Sequence, residues 1–125
     1  MTTRQQAILY LTHLLVYSDG EYDESEKDGI QAICKKEGIT ELDYQEFGLA
    51  SLDLSERQIF EKGVDLIEEC SEADKLAVFV WLYKLSEADG TVHAKEVRFL
   101  LYSLRRAEID FDAVKVAANK MPSIF

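Results

Sequence analysis

This sequence of 125 residues contains little proline, histidine and cysteine, and each shortage argues against a class of structure or chemistry. One proline and six glycines leave few residues for the many tight turns of an all-β fold, so helices are expected. The two histidines, His13 and His93, have no Ser or Cys at a spacing that suggests a catalytic relay, and no phosphate-binding glycine loop is present. The sequence therefore predicts a protein without enzymatic activity.

The two cysteines, Cys34 and Cys70, lie far apart in predicted helices, without a Cys-x-x-Cys spacing or a neighbouring His. This pattern favours reduced, buried thiols in a cytosolic protein over a disulfide framework or a zinc site. The first six residues also lack the features of a signal peptide, so a cytoplasmic location is expected.

Positive charge and long apolar runs are scarce as well. The chain has 24 Asp and Glu against 14 Lys and Arg, a formal net charge of −10. A surface with this much negative charge repels nucleic acid and anionic lipid. It favours cations or basic proteins as partners, or serves solubility alone. The longest apolar runs, 7–16 and 76–85, are about half a membrane span, so we expect buried helices and no membrane insertion.

Apolar residues recur at helical spacing along the chain, and capping signals divide it into seven predicted helices. Thr3 with Gln6 is expected to cap the first helix. The predicted helices cover about 4–18, 23–37, 40–48, the segments opened by Ser55 and by Ser71, and 94–106. Asp110 or Asp112 is expected to cap a last helix that ends at about 119. The fifth is apolar nearly all round and is predicted to be central. Its Leu76, Phe79, Val80 and Tyr83 are expected to pack against Ile8, Leu11 and Leu15.

A short acidic phrase occurs twice, in register, at an offset of 70 residues. The two copies are Asp19-Gly20 with Glu26, and Asp89-Gly90 with Glu96. Each follows an apolar helical run and precedes an amphipathic one. Repeated units of this kind pack together because one unit cannot bury its apolar face alone. We therefore expect a single all-α domain over 1–125 with an internal pseudo-twofold repeat, its halves at about 4–39 and 72–109.

The repeated acids have two interpretations. Glu26 falls at the third position of a helix, where it can cap free backbone amides. Asp19 and Asp89, at the ends of helices, oppose the helix dipole and are less well explained by capping. An EF-hand is excluded, because its required glycine is replaced by Glu24 in the first loop. Convergence of the two loops would give a divalent-cation site in which Asp19, Glu26, Asp89 and Glu96 bind Ca²⁺, Mg²⁺ or Mn²⁺.

The double phrase, set between helices over about 4–119, resembles the TerB-like family, which includes tellurite-resistance TerB proteins and the N-terminal domain of DjlA-type co-chaperones. The resemblance implies an all-α bacterial cytosolic module linked to stress responses and to membrane-associated complexes. It also implies that acidic loop residues bind metal. By position these are Asp19, Glu26, Asp89 and Glu96.

The leading functional hypothesis is a non-enzymatic acidic module that binds a divalent cation weakly, a protein partner, or both. The alternative is a purely protein–protein interaction domain, accessory to a co-chaperone, whose acidic loops only cap helices. A metal-dependent hydrolase that uses the same four carboxylates is a third possibility. The sequence leaves open the partner and the oligomeric state.

Overall fold

The computed structural model of the chain describes residues 1–17, 24–86, 105 and 108–120, with side chains described for 1–15, 28–85, 105 and 108–120. In these ranges the secondary structure is helical, without strands, and the helices form one compact all-α domain. They are α1 (Thr3–Tyr17), α2 (Glu24–Glu37), α3 (Glu41–Ser51), α4 (Glu56–Glu69), α5 (Glu72–Ser86) and α6 (Phe111–Asn119). The helix predicted over 94–106 and both Asp-Gly phrases lie outside the described residues. The seven-helix count and the internal repeat therefore stay predictions.

Most helices begin where the capping signals predict. The Ser55 hydroxyl accepts a hydrogen bond from the Gln58 amide, and the Gln58 side chain accepts one from the Ser55 amide, which completes a capping box. Thr40, Ser71 and Asp110 each accept a bond from a backbone amide in the first turn of their helix. Such caps satisfy amides that have no partner within the helix.

The predicted start of α1 is wrong by one residue. Thr2, rather than Thr3, accepts a bond from the Gln5 amide at 3.1 Å, and the Gln5 side chain accepts one from the Thr2 amide at 2.9 Å. Thr3 is the first helical residue. Two overlapping Thr-x-x-Gln pairs offer the same capping chemistry, so their spacing alone does not choose between them.

The predicted stop after α2 is correct, whereas the predicted end of α3 is three residues too early. Gly38 follows α2 with φ of 73°, the left-handed conformation that glycine adopts readily. Gly48 instead lies inside α3, which continues through Ser51. A helical glycine costs about 1 kcal/mol relative to alanine, but it does not stop a helix that continues with favourable residues.

The core lies between α1 and α5, and α1 is as deeply buried as the predicted central helix. α1 packs against α4 and α5, and α5 also packs against α2 and α6. The shared cluster includes Ile8, Leu11, Leu15, Phe79 and Val80, as predicted. Leu76 and Tyr83 are half-buried and pack at the margin of this cluster rather than inside it.

A glycine lets α4 approach α1 closely. A Cβ atom added at Gly63 would lie 2.8 Å from Leu11 Cδ2 and 3.5 Å from Tyr10 Cβ. Because the first distance is too short for two carbon atoms, a side chain at residue 63 would force the Leu11 side chain or α4 to shift.

Candidate partner-binding face

The side chains of the four predicted cation ligands lie outside the described part of the chain. Asp19, Asp89 and Glu96 lie outside the described residues. Glu26 lies in the first turn of α2, but its side chain is also outside the described part. Within the described residues, no three His, Cys, Asp or Glu side chains form a group that could hold a metal ion. Convergence of the four carboxylates therefore stays a prediction from their spacing.

The described part of the chain does present an apolar surface on α3. Leu42, Leu49 and Leu52 are 66%, 70% and 76% exposed. Leu52 is the C-cap residue of α3 and keeps a helical backbone conformation. At 100° per residue the three leucines therefore share one side of the helix with the exposed Gln45. We call Leu42, Gln45, Leu49 and Leu52 the leucine face; it is about 15 Å long at 1.5 Å per residue.

Aromatic contacts hold the opposite side of α3 against α1. Phe47 is buried and meets the Tyr10 ring edge-to-face, with centroids 4.9 Å apart and planes at 82°. It also meets the His13 ring at 5.7 Å and 79°. Such pairs add about 0.5–1.5 kcal/mol beyond their buried area. Because Phe47 anchors α3 in this orientation, the leucine face points away from the core.

The surface around the leucine face is acidic. The segment 37–56 contains six acids and no Lys or Arg. Three of these acids, Glu41, Glu46 and Asp53, are exposed and adjoin the leucine face in sequence. The face is therefore an apolar ridge with negative charge along its margins.

An open groove of about 640 Å³ lies between α2 and α3, beside the first half of the leucine face. Its walls include the mainly apolar side chains Ile30, Cys34, Ile39 and Tyr44, together with Lys35 and Gln45. Gln45 belongs to both the groove and the leucine face, so the two surfaces are continuous. Burial raises the pKa of the Cys34 thiol to about 11, so Cys34 is protonated at neutral pH and contributes a weakly polar wall.

The two cysteines form no disulfide, but their predicted burial is only partly correct. Cys34 and Cys70 are both free and half-buried. Desolvation is the main cause that raises the pKa of Cys70, followed by the negative charge of Asp74. Both thiols lie at the margin of the core, Cys34 within α2 and Cys70 as the C-cap residue of α4.

A second polar arrangement joins α1, α2 and α5. The Glu37 carboxylate is 10% exposed and accepts hydrogen bonds from Arg4 at 2.5 Å and from the Trp81 indole at 2.6 Å. Arg4 also donates to Asp74 at 3.1 Å. The pKa of Arg4 is raised, chiefly by its bond to Glu37, so the cation persists at every practical pH. With two donors on one oxygen, Glu37 stabilises the fold rather than offering a free base.

Sequence reasoning missed both the leucine face and the Glu37 contacts. The sequence does contain a signal for the leucine face, because α3 carries apolar residues on two of its sides. Packing against a single neighbouring helix can bury only one of these sides. The Glu37 contacts had no comparable signal, because Arg4 and Trp81 lie 33 and 44 residues away in the chain.

Comparison of the chain with protein-family models, with curated proteins and with solved structures gives no match. The TerB-like resemblance therefore rests on the two acidic phrases alone. Among the described residues, no helix combines the length and the apolar character needed to cross a membrane.

Proposed function

We propose that this protein is a non-enzymatic binding module that recognises a partner protein through the leucine face of α3. The observation that carries the proposal is the joint exposure of Leu42, Leu49 and Leu52. A single exposed leucine on a protein surface is ordinary. Three on one side of one helix, bordered by charge, have the composition of an interaction site: an apolar centre with a polar rim.

The acidic phrases support a wider setting for this module. The TerB-like resemblance favours a bacterial stress-response or membrane-associated complex in the cytoplasm. The in-register repeat supports a weak divalent-cation site at Asp19, Glu26, Asp89 and Glu96 as a second role. The two roles use different parts of the chain and can be tested separately.

The test of partner binding compares three forms of the full chain as affinity baits in a lysate of the source cells. These are the wild type, the double variant Leu49→Ser/Leu52→Ser, and the control Val116→Ser, which alters an exposed apolar residue on α6. All three should melt within about 3 °C of one another, because exposed substitutions usually change stability by less than about 0.5 kcal/mol.

We expect proteins that the wild type and the control retain but the double variant loses. The purified partner should then bind the double variant at least about tenfold more weakly, a difference of about 1.4 kcal/mol. Partners retained equally by all three forms would refute a binding role for the leucine face.

A further inference from the structure

We propose that the partner segment seated on the leucine face is a basic amphipathic helix; this inference rests on the proposed function and specifies its ligand. The occupant follows from two observations, the spacing of the leucine face and the sign of the charge beside it. The groove between α2 and α3 adds a place for a larger side chain.

The spacing of the leucine face is that of a helix–helix seam. Leu42, Gln45, Leu49 and Leu52 follow the 3-4-3 intervals of the a and d positions in a heptad. A second helix can lay its own apolar stripe along such a ridge over about three turns. An extended strand has no matching periodicity, because its side chains alternate every second residue.

The charges beside this seam determine which sign of charge the partner helix should carry. Within α3 the flanking e and g positions of this heptad are Glu41, Glu46 and Gly48, and Asp53 follows in the turn after the helix. These are three exposed acids and one residue without a side chain. In coiled coils, charges at these positions set the choice of partner and its orientation. A partner with Lys or Arg there would form ion pairs, whereas acids would repel.

The same charges disfavour a second copy of this chain. Two leucine faces packed together would bring Glu41, Glu46 and Asp53 of each copy beside those of the other. The net charge of −10 adds long-range repulsion between copies at low salt. A basic segment of another protein meets neither obstacle.

The groove gives the partner helix an additional contact. It adjoins the leucine face at Gln45 and has apolar walls from Ile30, Ile39 and Tyr44. At about 640 Å³ it is large enough for a bulky apolar side chain, and it lies beside the N-terminal half of α3. A single large residue at one end of the partner stripe would fix the register of the two helices.

The test uses three labelled peptides of about three heptads each. The first carries Leu at a and d and Lys at e and g. The second replaces the flanking Lys by Glu. The third has the composition of the first with its leucines scrambled, which controls for general attraction to an acidic protein. Binding to the full chain is followed by fluorescence anisotropy at low and high salt.

We expect the patterned Lys peptide to bind at least about tenfold more tightly than either other peptide. Its affinity should fall with added salt, because exposed ion pairs are screened. Leu49→Ser/Leu52→Ser should weaken it at least about tenfold, while Val116→Ser should leave it unchanged. Glu46→Lys/Asp53→Lys should reverse the preference, so that the Glu peptide binds more tightly than the Lys peptide.

Three results would overturn the proposal: equal binding of patterned and scrambled Lys peptides, no change of preference in the charge-reversed variant, or a dimer of the chain that Leu49→Ser/Leu52→Ser dissolves. If binding of the natural partner still depends on Leu49 and Leu52, any of these results refutes only the basic-helix inference and leaves the proposed function standing. If neither peptides nor natural partners depend on these leucines, the proposed function fails as well.

Discussion

Replacing Gly63 by alanine tests the close approach of α4 to α1. The resulting change in the free energy of unfolding should reverse its sign when Leu11 is also replaced by alanine. In an unobstructed helix, alanine in place of glycine gains about 1 kcal/mol. At Gly63 the new Cβ would lie 2.8 Å from Leu11 Cδ2 and 3.2 Å from Leu11 Cγ. Leu11 is 1% exposed, so it cannot swing into solvent to make room.

The expected magnitudes follow from these two opposing effects. Overpacking a core costs about 1–3 kcal/mol, so Gly63→Ala should be net destabilising by about 1 kcal/mol. Leu11→Ala alone should cost about 2–5 kcal/mol through lost burial and the cavity it leaves. In that background the obstructing atoms are gone, and Gly63→Ala should stabilise by about 1 kcal/mol. The coupling between the two sites is therefore about 2 kcal/mol.

The measurement is urea unfolding followed by the fluorescence of Trp81, the only tryptophan, which is 5% exposed in the folded protein. Gly48→Ala is the matched control, since its added Cβ would meet no atom within 4 Å apart from the local backbone of α3 and the two adjacent residues. It should stabilise by about 0.5–1 kcal/mol in both backgrounds. If Gly63→Ala stabilised both backgrounds equally, the close approach of α4 to α1 would be wrong. A cost below about 1 kcal/mol for Leu11→Ala would show that its face is peripheral.

Three further predictions concern charge. Glu37→Ala should cost about 1–3 kcal/mol in the urea assay, because it leaves the Trp81 indole without its acceptor and the Arg4 guanidinium with Asp74 alone. Glu61→Ala, from an exposed pair, should cost less than about 0.5 kcal/mol, and equal costs would contradict this prediction. Burial lowers the pKa of His13, so the stability its neutral form contributes is complete above pH 6.5 and is lost as pH falls through the lowered folded pKa. His13→Gln should flatten this loss, and parallel pH profiles would refute it. Asp19→Asn/Asp89→Asn should raise the stability of the metal-free protein and abolish its stabilisation by Ca²⁺ or Mn²⁺. That stabilisation reaches about 2.7 kcal/mol at a hundredfold excess of metal over Kd. The cation site would be excluded if the variant were less stable than the wild type and metal did not stabilise the wild type.

The parts of the fold that could be predicted from sequence are those set by chemistry within one turn of a helix. Ser55 and Gln58 identify the start of α4 because each side chain reaches the other's amide. Gly38 identifies the end of α2 because it can adopt a positive φ. The cores of α1 and α5 were also predictable, since an apolar run of about ten residues must be buried when it does not cross a membrane.

The parts that could not be predicted depend on residues distant in sequence. Glu37 lies at the end of a helix, where a carboxylate opposes the dipole, and its position makes sense only once Arg4 and Trp81 are beside it. The leucine face depends on which side of α3 Phe47 turns toward Tyr10. Helical periodicity identifies both apolar sides of α3, but it does not determine which side packs against the core.

The packing of α1 has a consequence for how the chain is made. The helices that cover it most, α4 and α5, end at Glu69 and Ser86, whereas α1 itself ends at Tyr17. At about 5–20 residues per second, the ribosome adds the intervening segment in roughly 4–14 s. Until α5 is complete, the nascent chain carries a helix-length apolar segment without its full set of native partners. Slower translation before Ser86 would lengthen the period during which this segment can aggregate or be held by a chaperone.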